Sequence, residues 1–145
     1  MKPVRHRPAL LIACVVLSVL SLPLISASAH HATAAEYDIS KTVVLKGTIL
    51  AVDWANPHIH VVMRVKAERG PEQDWEVEFP APGAATVAGL SKQVLAPGAV
   101  LTFKGYPSKP DFHPDPRSKS SAQWFACAIR VTLSDGSQVT FVVGI

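Results

Sequence analysis

Cysteine, charge and glycine are all scarce in this sequence. Its 145 residues include 2 cysteines and 8 glycines, and 17% of them are charged. No phosphate-binding loop, nucleophile motif or cofactor fingerprint is present, so an enzyme is not the expected class. Twelve prolines against eight glycines exclude a collagen-like repeat. A hydrophobic content of 48% excludes a disordered polymer. The length predicts one small folded domain.

The amino terminus has the pattern of a secretory signal peptide. Three basic residues within the first seven precede an apolar run over residues 9–25, and Ala27-Ser28-Ala29 is a small-x-small cleavage site. The run is at the lower edge of membrane-spanning length, so a permanent anchor is the alternative. A lipoprotein site at Cys14 is disfavoured because the longer apolar stretch follows this cysteine. We predict a signal peptide over 1–29, with a periplasmic or secreted protein that has no stable membrane insertion.

Removal of the signal peptide changes the net charge. Residues 1–29 contain three basic and no acidic side chains, so the remaining 116 residues carry 11 of each sign. Without a local cluster of Lys and Arg, nucleic acid is not an expected partner. Cys14 leaves with the signal, and Cys127 then has no intramolecular partner. Its apolar surroundings in the sequence predict a small buried side chain.

Alternating apolar residues predict a small antiparallel OB-like β-barrel. Strands are expected over 42–54, 58–66, 72–79, 100–106, 123–133 and 138–143, with one short helix over 82–95. An immunoglobulin-like sandwich is the alternative. Gly47, inside the long first strand, suggests a bulge or bend. The barrel domain is expected over 42–145, after a lead-in at 30–41 and with an exposed loop at 107–121.

The third predicted strand alternates carboxylates with apolar residues, and a hairpin with the second strand accounts for the carboxylates. We expect a register that sets Lys66 opposite Asp74 and Arg64 opposite Glu76, so that ion pairs explain the acidic stripe without a metal. In the fifth strand, alternation predicts five buried side chains: Phe125, Cys127, Ile129, Val131 and Leu133.

Histidines carry most of the chemistry that the sequence offers. His58 and His60 share the non-core face of the second strand, about 7 Å apart, which suits two ligands of one metal ion. Cleavage at the expected site gives His30 a free α-amine beside its imidazole, a chelate that favours Cu(II). Cleavage one residue earlier makes His31 the third residue of a square-planar site for Cu(II) or Ni(II). Zinc held by imidazoles is less favoured. Cleavage five residues later would remove both terminal histidines.

Aromatic residues support a second hypothesis, a metal-free binding module. OB barrels present their second and third strands to extended ligands. Trp54, Trp124 and Tyr106 are candidates for stacking on an oligosaccharide, a peptide or a partner protein, and Asn56 is a candidate polar contact. For Trp54 and Asn56 the alternative is a structural role, in which Trp54 closes the end of the barrel and Asn56 caps a turn.

Short motifs spread over nearly all of the chain after the signal peptide indicate a family. The most specific is Trp54-Ala55-Asn56-Pro57-His58; the others are His30-His31, Ala35-Glu36-Tyr37-Asp38, Leu45-Lys46-Gly47-Thr48, Trp75-Glu76-Val77-Glu78, and Pro97-Gly98 through Gly105-Tyr106-Pro107. Together they resemble a family of small exported bacterial proteins that is catalogued as a domain of unknown function. The resemblance implies an exported single-domain β protein and supplies no activity. The position of His60 is often aromatic or aliphatic in that family, which implies a larger role for His30, His31 and His58.

Overall fold

We describe the fold from a computed structural model, in which residues 32–67, 70–114 and 120–142 are described. The elements in chain order are α1 (Ala32–Glu36), β1 (Val43–Trp54), β2 (Ile59–Val65), β3 (Gln73–Phe79), α2 (Pro82–Val87), β4 (Val100–Pro107), β5 (Trp124–Thr132) and β6 (Gln138–Thr140). The predicted signal peptide, His30 and His31 lie outside these ranges. None of the helices in the described ranges is long and apolar enough to cross a membrane.

Five strands close into a barrel. β1 pairs with β2 and β4, β2 with β3, and β4 with β5, all antiparallel, and a parallel pairing of β3 with β5 completes the ring. β6 continues the sheet beyond β5. This confirms the predicted small all-β barrel with a short helix between the third and fourth strands. The single continuous sheet differs from the two packed sheets of the alternative sandwich.

The core lies inside the barrel, as the alternation in β2 predicts. Ile59, Val61, Met63 and Val65 are at most 5% exposed and belong to one cluster with Phe103. Full burial of an aliphatic side chain contributes about 1.5–3 kcal/mol. Because these residues occupy every second position, the intervening side chains of β2, His60 among them, project to the outer face.

Helix α2 is shorter than predicted. It ends at Val87, whereas the sequence predicts a helix over 82–95. The apolar positions Leu90 and Leu95 are nevertheless 1% exposed, so the turns that follow α2 keep these side chains in the core.

Gly47 does not mark the bulge of β1. The register against β2 shifts between Ile49 and Ala51, three residues further along the strand. At Gly47 a Cβ atom would lie 2.5 Å from the carbonyl oxygen of Arg64. Close approach of a neighbouring backbone, rather than a bulge, therefore requires glycine at this position.

The prediction of which β5 side chains enter the core was partly wrong. The register against β4 shifts between Lys104 and Gly105, which is a bulge. Because a bulge inverts the alternation of a strand, Ala126 and Ala128 enter the core before it and Val131 enters after it. Phe125 and Ile129, which were predicted to be buried, are only half-buried and are not part of the core cluster. Cys127 is buried, as predicted, although it is outside this cluster. Val131 is buried and Leu133 packs against the core, as predicted.

A second apolar cluster covers the outer face of β5. Tyr37, from the lead-in, is 3% exposed and lies 5.4 Å from Phe112 between ring centroids. Phe112 in turn lies 5.1 Å from Phe125. The cluster explains why Phe125 is half-buried although it faces outward. It also packs the first part of the predicted loop at 107–121 against the barrel.

Backbone hydrogen bonds fix the lead-in to the same loop. The amide of Asp38 donates to Pro107, and the amide of Lys109 donates to Glu36. The ammonium group of Lys109 donates to the carbonyl of Ala34 at 2.6 Å. Residues 34–38 are thus held at several points beside the end of β4 and the loop that follows it.

Candidate functional site

The hairpin of β2 and β3 brings two histidines to two glutamates. In its register His60 is opposite Glu78, and Arg64 is opposite Asp74. The predicted register, with Arg64 opposite Glu76, was wrong by two residues. A shift of two residues keeps the apolar faces matched, because side chains alternate with a period of two. It does change which polar side chains meet on the outer face.

Both histidines bind a carboxylate through the same ring nitrogen. Nδ1 of His58 lies 2.7 Å from Oε1 of Glu78, and Nδ1 of His60 lies 2.8 Å from Oε1 of Glu76. The carboxylate of Glu78 is ionised, and an ionised carboxylate only accepts hydrogen bonds, so Nδ1 of His58 carries the proton. In the neutral imidazole the lone pair is then on Nε2. Arg64, the predicted partner of Glu76, is paired with Asp74 instead.

Tyr37 is a site residue that the sequence analysis missed. Its hydroxyl donates to Oε2 of Glu78 at 3.0 Å, so this carboxylate is held by Tyr37 on one oxygen and by His58 on the other. Tyr37 belongs to one of the family motifs, Ala35-Glu36-Tyr37-Asp38. An aromatic residue within an otherwise polar lead-in was the available signal.

The pKa values in this cluster follow from burial and from these hydrogen bonds. Burial raises the pKa of Glu78, but the hydrogen bond from His58, with that from Tyr37, outweighs it and lowers the pKa overall. The hydrogen bond to Glu78 raises the pKa of His58 against the effect of burial. Burial, reinforced by Glu78, raises the pKa of Tyr37 and raises that of Cys127 to about 12. The site thus holds an ionised carboxylate, a neutral phenol and a neutral thiol at pH 7.

The described residues supply two possible metal ligands at this site rather than a complete set. Within residues 32–67, 70–114 and 120–142, no group of three or more His, Cys, Asp and Glu side chains is arranged to hold a metal ion. The two possible ligands are His58 and His60, each of which contacts a glutamate through Nδ1. The other two predicted ligands, His30 and His31, precede the described part of the chain. α1 begins at Ala32, directly after His31, and leads into Tyr37.

The four residues predicted for an extended ligand are not brought together. Trp54 is half-buried, packs against the core and is opposite Ile59 at the start of β2. Asn56 is exposed in the following turn, where its bond to Pro57 is cis. Trp124 is opposite Trp75, near the other end of the hairpin. Tyr106 is on β4, opposite Cys127.

The residues of the site fall within a region shared with other proteins. Residues 17–113 match the family described as "Family of unknown function (DUF6152)". The chain belongs to this family. The DUF6152 region contains Tyr37 and both histidine–glutamate pairs, whereas β5, with Trp124 and Cys127, follows it. No curated protein matches the chain.

Proposed function

We propose that the protein is exported and binds a metal ion, with copper favoured. The observation that supports this most directly is the pair of Nδ1 hydrogen bonds from His58 and His60 to Glu78 and Glu76. A metal-ligating imidazole almost always donates its other N–H to a carboxylate, carbonyl or water. This contact fixes the tautomer and the ring orientation and makes the ligating nitrogen more basic. Two such imidazoles stand two residues apart, with His58 directly before β2 and His60 within it.

The surroundings of the two imidazoles favour a cation. The side chain of His58 is 45% exposed, so an ion can reach it from solvent. Glu76 and Glu78 place negative charge behind the rings, and the carboxylate of Glu36 also contributes to raising the pKa of His58. Negative charge around a partly exposed site attracts cations and increases their local concentration.

Further ligands are expected from the residues before α1. Tyr37 and Lys109 anchor the lead-in beside Glu78. A helix rises about 1.5 Å per residue, so the five residues of α1 place its first residue within about 10 Å of Tyr37. His31 is bonded to that first residue, and His30 precedes it. Because the connection in the sequence is this short, we propose the nitrogens of His30 and His31 as the further ligands.

Copper is favoured by the type of donor. The α-amine and imidazole of His30, with the imidazoles of His31, His58 and His60, form a nitrogen-rich set. Cu(II) prefers tetragonal nitrogen ligation and has the highest affinity among the divalent first-row metals. Zinc through three imidazoles, and nickel in a square-planar terminal site, are the less favoured alternatives.

The test uses protein purified from the periplasm or medium of its native host. The intact mass, measured with and without metal, gives the cleavage site and any lipid modification. Cu(II) is then added and electron paramagnetic resonance is recorded for the parent, for His58→Ala and for His113→Ala. His113 is an exposed histidine of the loop after β4 and serves as the matched control.

We expect a stoichiometric Cu(II) spectrum with nitrogen hyperfine structure that changes in His58→Ala and is unchanged in His113→Ala. A spectrum without nitrogen ligation, or one unaffected by His58→Ala, would rule out the proposed site. Recombinant forms that begin at Ala29 and at His30 separate the two terminal chelates. A methionine before His30 blocks the amine and is expected to weaken binding.

A further inference from the structure

Trp124 is exposed at a position where the fold holds its ring in place. It is 48% exposed at the first residue of β5, and its ring is stacked on Trp75 at 5.8 Å between centroids and 24° between planes. Trp75 is 8% exposed and belongs to the core. Trp124 is therefore supported from one side and open to solvent on the other. An aromatic face held in this way binds with little loss of side-chain entropy.

Fixed polar side chains lie beside this ring. A groove of about 510 Å³ runs between the end of β2, the start of β3 and the start of β5, and Arg64, Gln73, Asp74 and Trp124 line it. Nε and Nη2 of Arg64 donate to the two carboxylate oxygens of Asp74 at 2.9 and 3.0 Å. The indole N–H of Trp75 donates to Oε1 of Gln73 at 3.2 Å. Gln73 lines the groove, and its amide NH₂ is a further donor there.

The charge of the groove disfavours anions. Its charged residues are Arg64, Glu72 and Asp74, and the guanidinium is already paired with a carboxylate. The lining therefore has a net negative charge. Phosphates and nucleic acids, which need unpaired basic groups, do not suit it.

The strand pairing disfavours an extended peptide. Such a peptide gains affinity by adding to a free sheet edge. β3 pairs with β2 over Gln73–Phe79 and with β5 from Trp75 to Glu78, so its backbone groups next to Trp124 are already used. The groups of the groove that remain available to a ligand are the aromatic face of Trp124, the planar carboxylate of Asp74 and amide donors.

We propose that this groove binds a neutral saccharide. The apolar C–H face of a pyranose ring stacks on Trp124, and neighbouring hydroxyls pair with the carboxylate of Asp74 and the amide of Gln73. Planar carboxylate and amide groups suit adjacent hydroxyls because both present two hydrogen-bonding atoms at similar spacing. A site of this kind combines aromatic contact area with a few oriented polar groups.

The site is separate from the proposed metal site and independent of it. Arg64 follows His60 by four residues on β2, which is about 13 Å along a strand. The two sites lie toward opposite ends of the hairpin. Binding to the groove is therefore measured on metal-free protein, and its failure would leave the metal proposal untouched.

The test is saturation-transfer NMR of the full chain after its cleavage site, with cellotetraose, maltotetraose, chitotetraose and the acidic tetragalacturonate as probes. We expect at least one neutral tetrasaccharide to bind in the micromolar-to-millimolar range, and tetragalacturonate to bind at least about tenfold more weakly. Trp124→Ala should weaken the binding by about tenfold or more. Asp74→Asn, which keeps the side-chain shape, should weaken it severalfold.

Val87→Ala is the control, because Val87 is 91% exposed on α2 and is outside the groove. Circular dichroism confirms that each variant is folded. If Trp124→Ala does not fold, the saccharide binding of Asp74→Asn alone tests the proposal. The proposal is wrong if no neutral tetrasaccharide gives a signal, if the folded variants bind as well as the parent, or if tetragalacturonate binds most tightly.

Discussion

His58 and Glu78 are joined by a 2.7 Å hydrogen bond, although the imidazole is 45% exposed and the carboxylate is largely covered. The carboxylate is held from behind by the hydroxyl of Tyr37. An exposed histidine side chain ordinarily loses entropy when a single contact orders it. Here the acceptor is already fixed, so the ring orientation is set by a buried group. The following predictions concern this cluster and the barrel that supports it.

Glu78→Gln is expected to lower the pKa of His58 toward its ordinary value of 6.5. The hydrogen bond to the carboxylate is the largest cause of the raised pKa, and a neutral amide stabilises the imidazolium less. NMR titration of the imidazole signals of the metal-free protein measures the change. Glu72→Gln is the control, because Glu72 is exposed and removed from His58. An unchanged His58 pKa in Glu78→Gln would contradict the hydrogen bond.

Tyr37→Phe is expected to reduce the free energy of unfolding by about 1.5–3 kcal/mol at pH 7, the usual value for a hydrogen bond to a charged group. The variant keeps the ring contact with Phe112 and removes only the donor to Glu78. Urea denaturation measures the loss. Hydrogen exchange should also become faster in residues 33–41, because Tyr37 fixes this segment to the barrel. A loss of stability without faster exchange there would argue against the anchoring role.

Alkaline pH is expected to destabilise the fold. Burial raises the folded-state pKa of Cys127 to about 12 from 9.0, and raises that of Tyr37 above 10.0. The folded state therefore keeps protons that the unfolded chain releases. This stabilisation is fully present below pH 9 and is lost as the pH rises toward 12. In the pH range where a group is ionised only in the unfolded state, the free energy of unfolding falls by about 1.4 kcal/mol per pH unit.

Denaturation curves between pH 7 and 11 measure this dependence. The double variant Tyr37→Phe, Cys127→Ala should have a flatter profile above pH 9, and an equally steep profile would show that other groups dominate. The same burial predicts that iodoacetamide modifies Cys127 slowly at pH 8 in the folded protein and rapidly in urea.

Gly47→Ala and Gly83→Ala are expected to change stability in opposite directions. At Gly47 the new methyl group would lie 2.5 Å from the carbonyl oxygen of Arg64, and overpacking of this kind costs about 1–3 kcal/mol. At Gly83, in α2, no atom lies within 4 Å of the added Cβ, and alanine should stabilise the helix by about 0.5 kcal/mol. Thermal denaturation of the two variants measures whether each substitution lowers or raises the stability. Similar effects at the two positions would contradict the close approach at Gly47.

The strands and the β2 core face could be predicted because alternation determines which face of a strand is buried. Register could not be predicted in the same way. Two pairings of β2 with β3 bury the same faces. The expected register pairs Val65 with Trp75, whereas the structure pairs Met63 with Trp75. The polar partners depend on this two-residue difference, which is why the expected partner of Arg64 is Glu76 and the observed partner is Asp74. The equal spacing of His58-x-His60 and Glu76-x-Glu78 on neighbouring strands was the available clue to the histidine–glutamate pairs.

The outward position of Phe125 could not be predicted from β5 alone. A phenylalanine among alanines is the residue expected in a core, and β5 itself has no glycine or proline at the bulge that reverses the alternation. The glycine at the register shift, Gly105, is on β4. The side chain faces outward because Phe112, thirteen residues earlier, covers it. This contact depends on tertiary structure and is invisible to any local pattern.

The parallel pairing of β3 with β5 has a consequence for how the folded protein behaves at high concentration. Each of the five barrel strands has at least two neighbours, and the described strand with only one is β6, which is three residues long. Exposed strand edges are the usual templates for aggregation, and short ones recruit other chains poorly. Ring closure thus protects a domain rich in β-branched residues from edge-to-edge assembly.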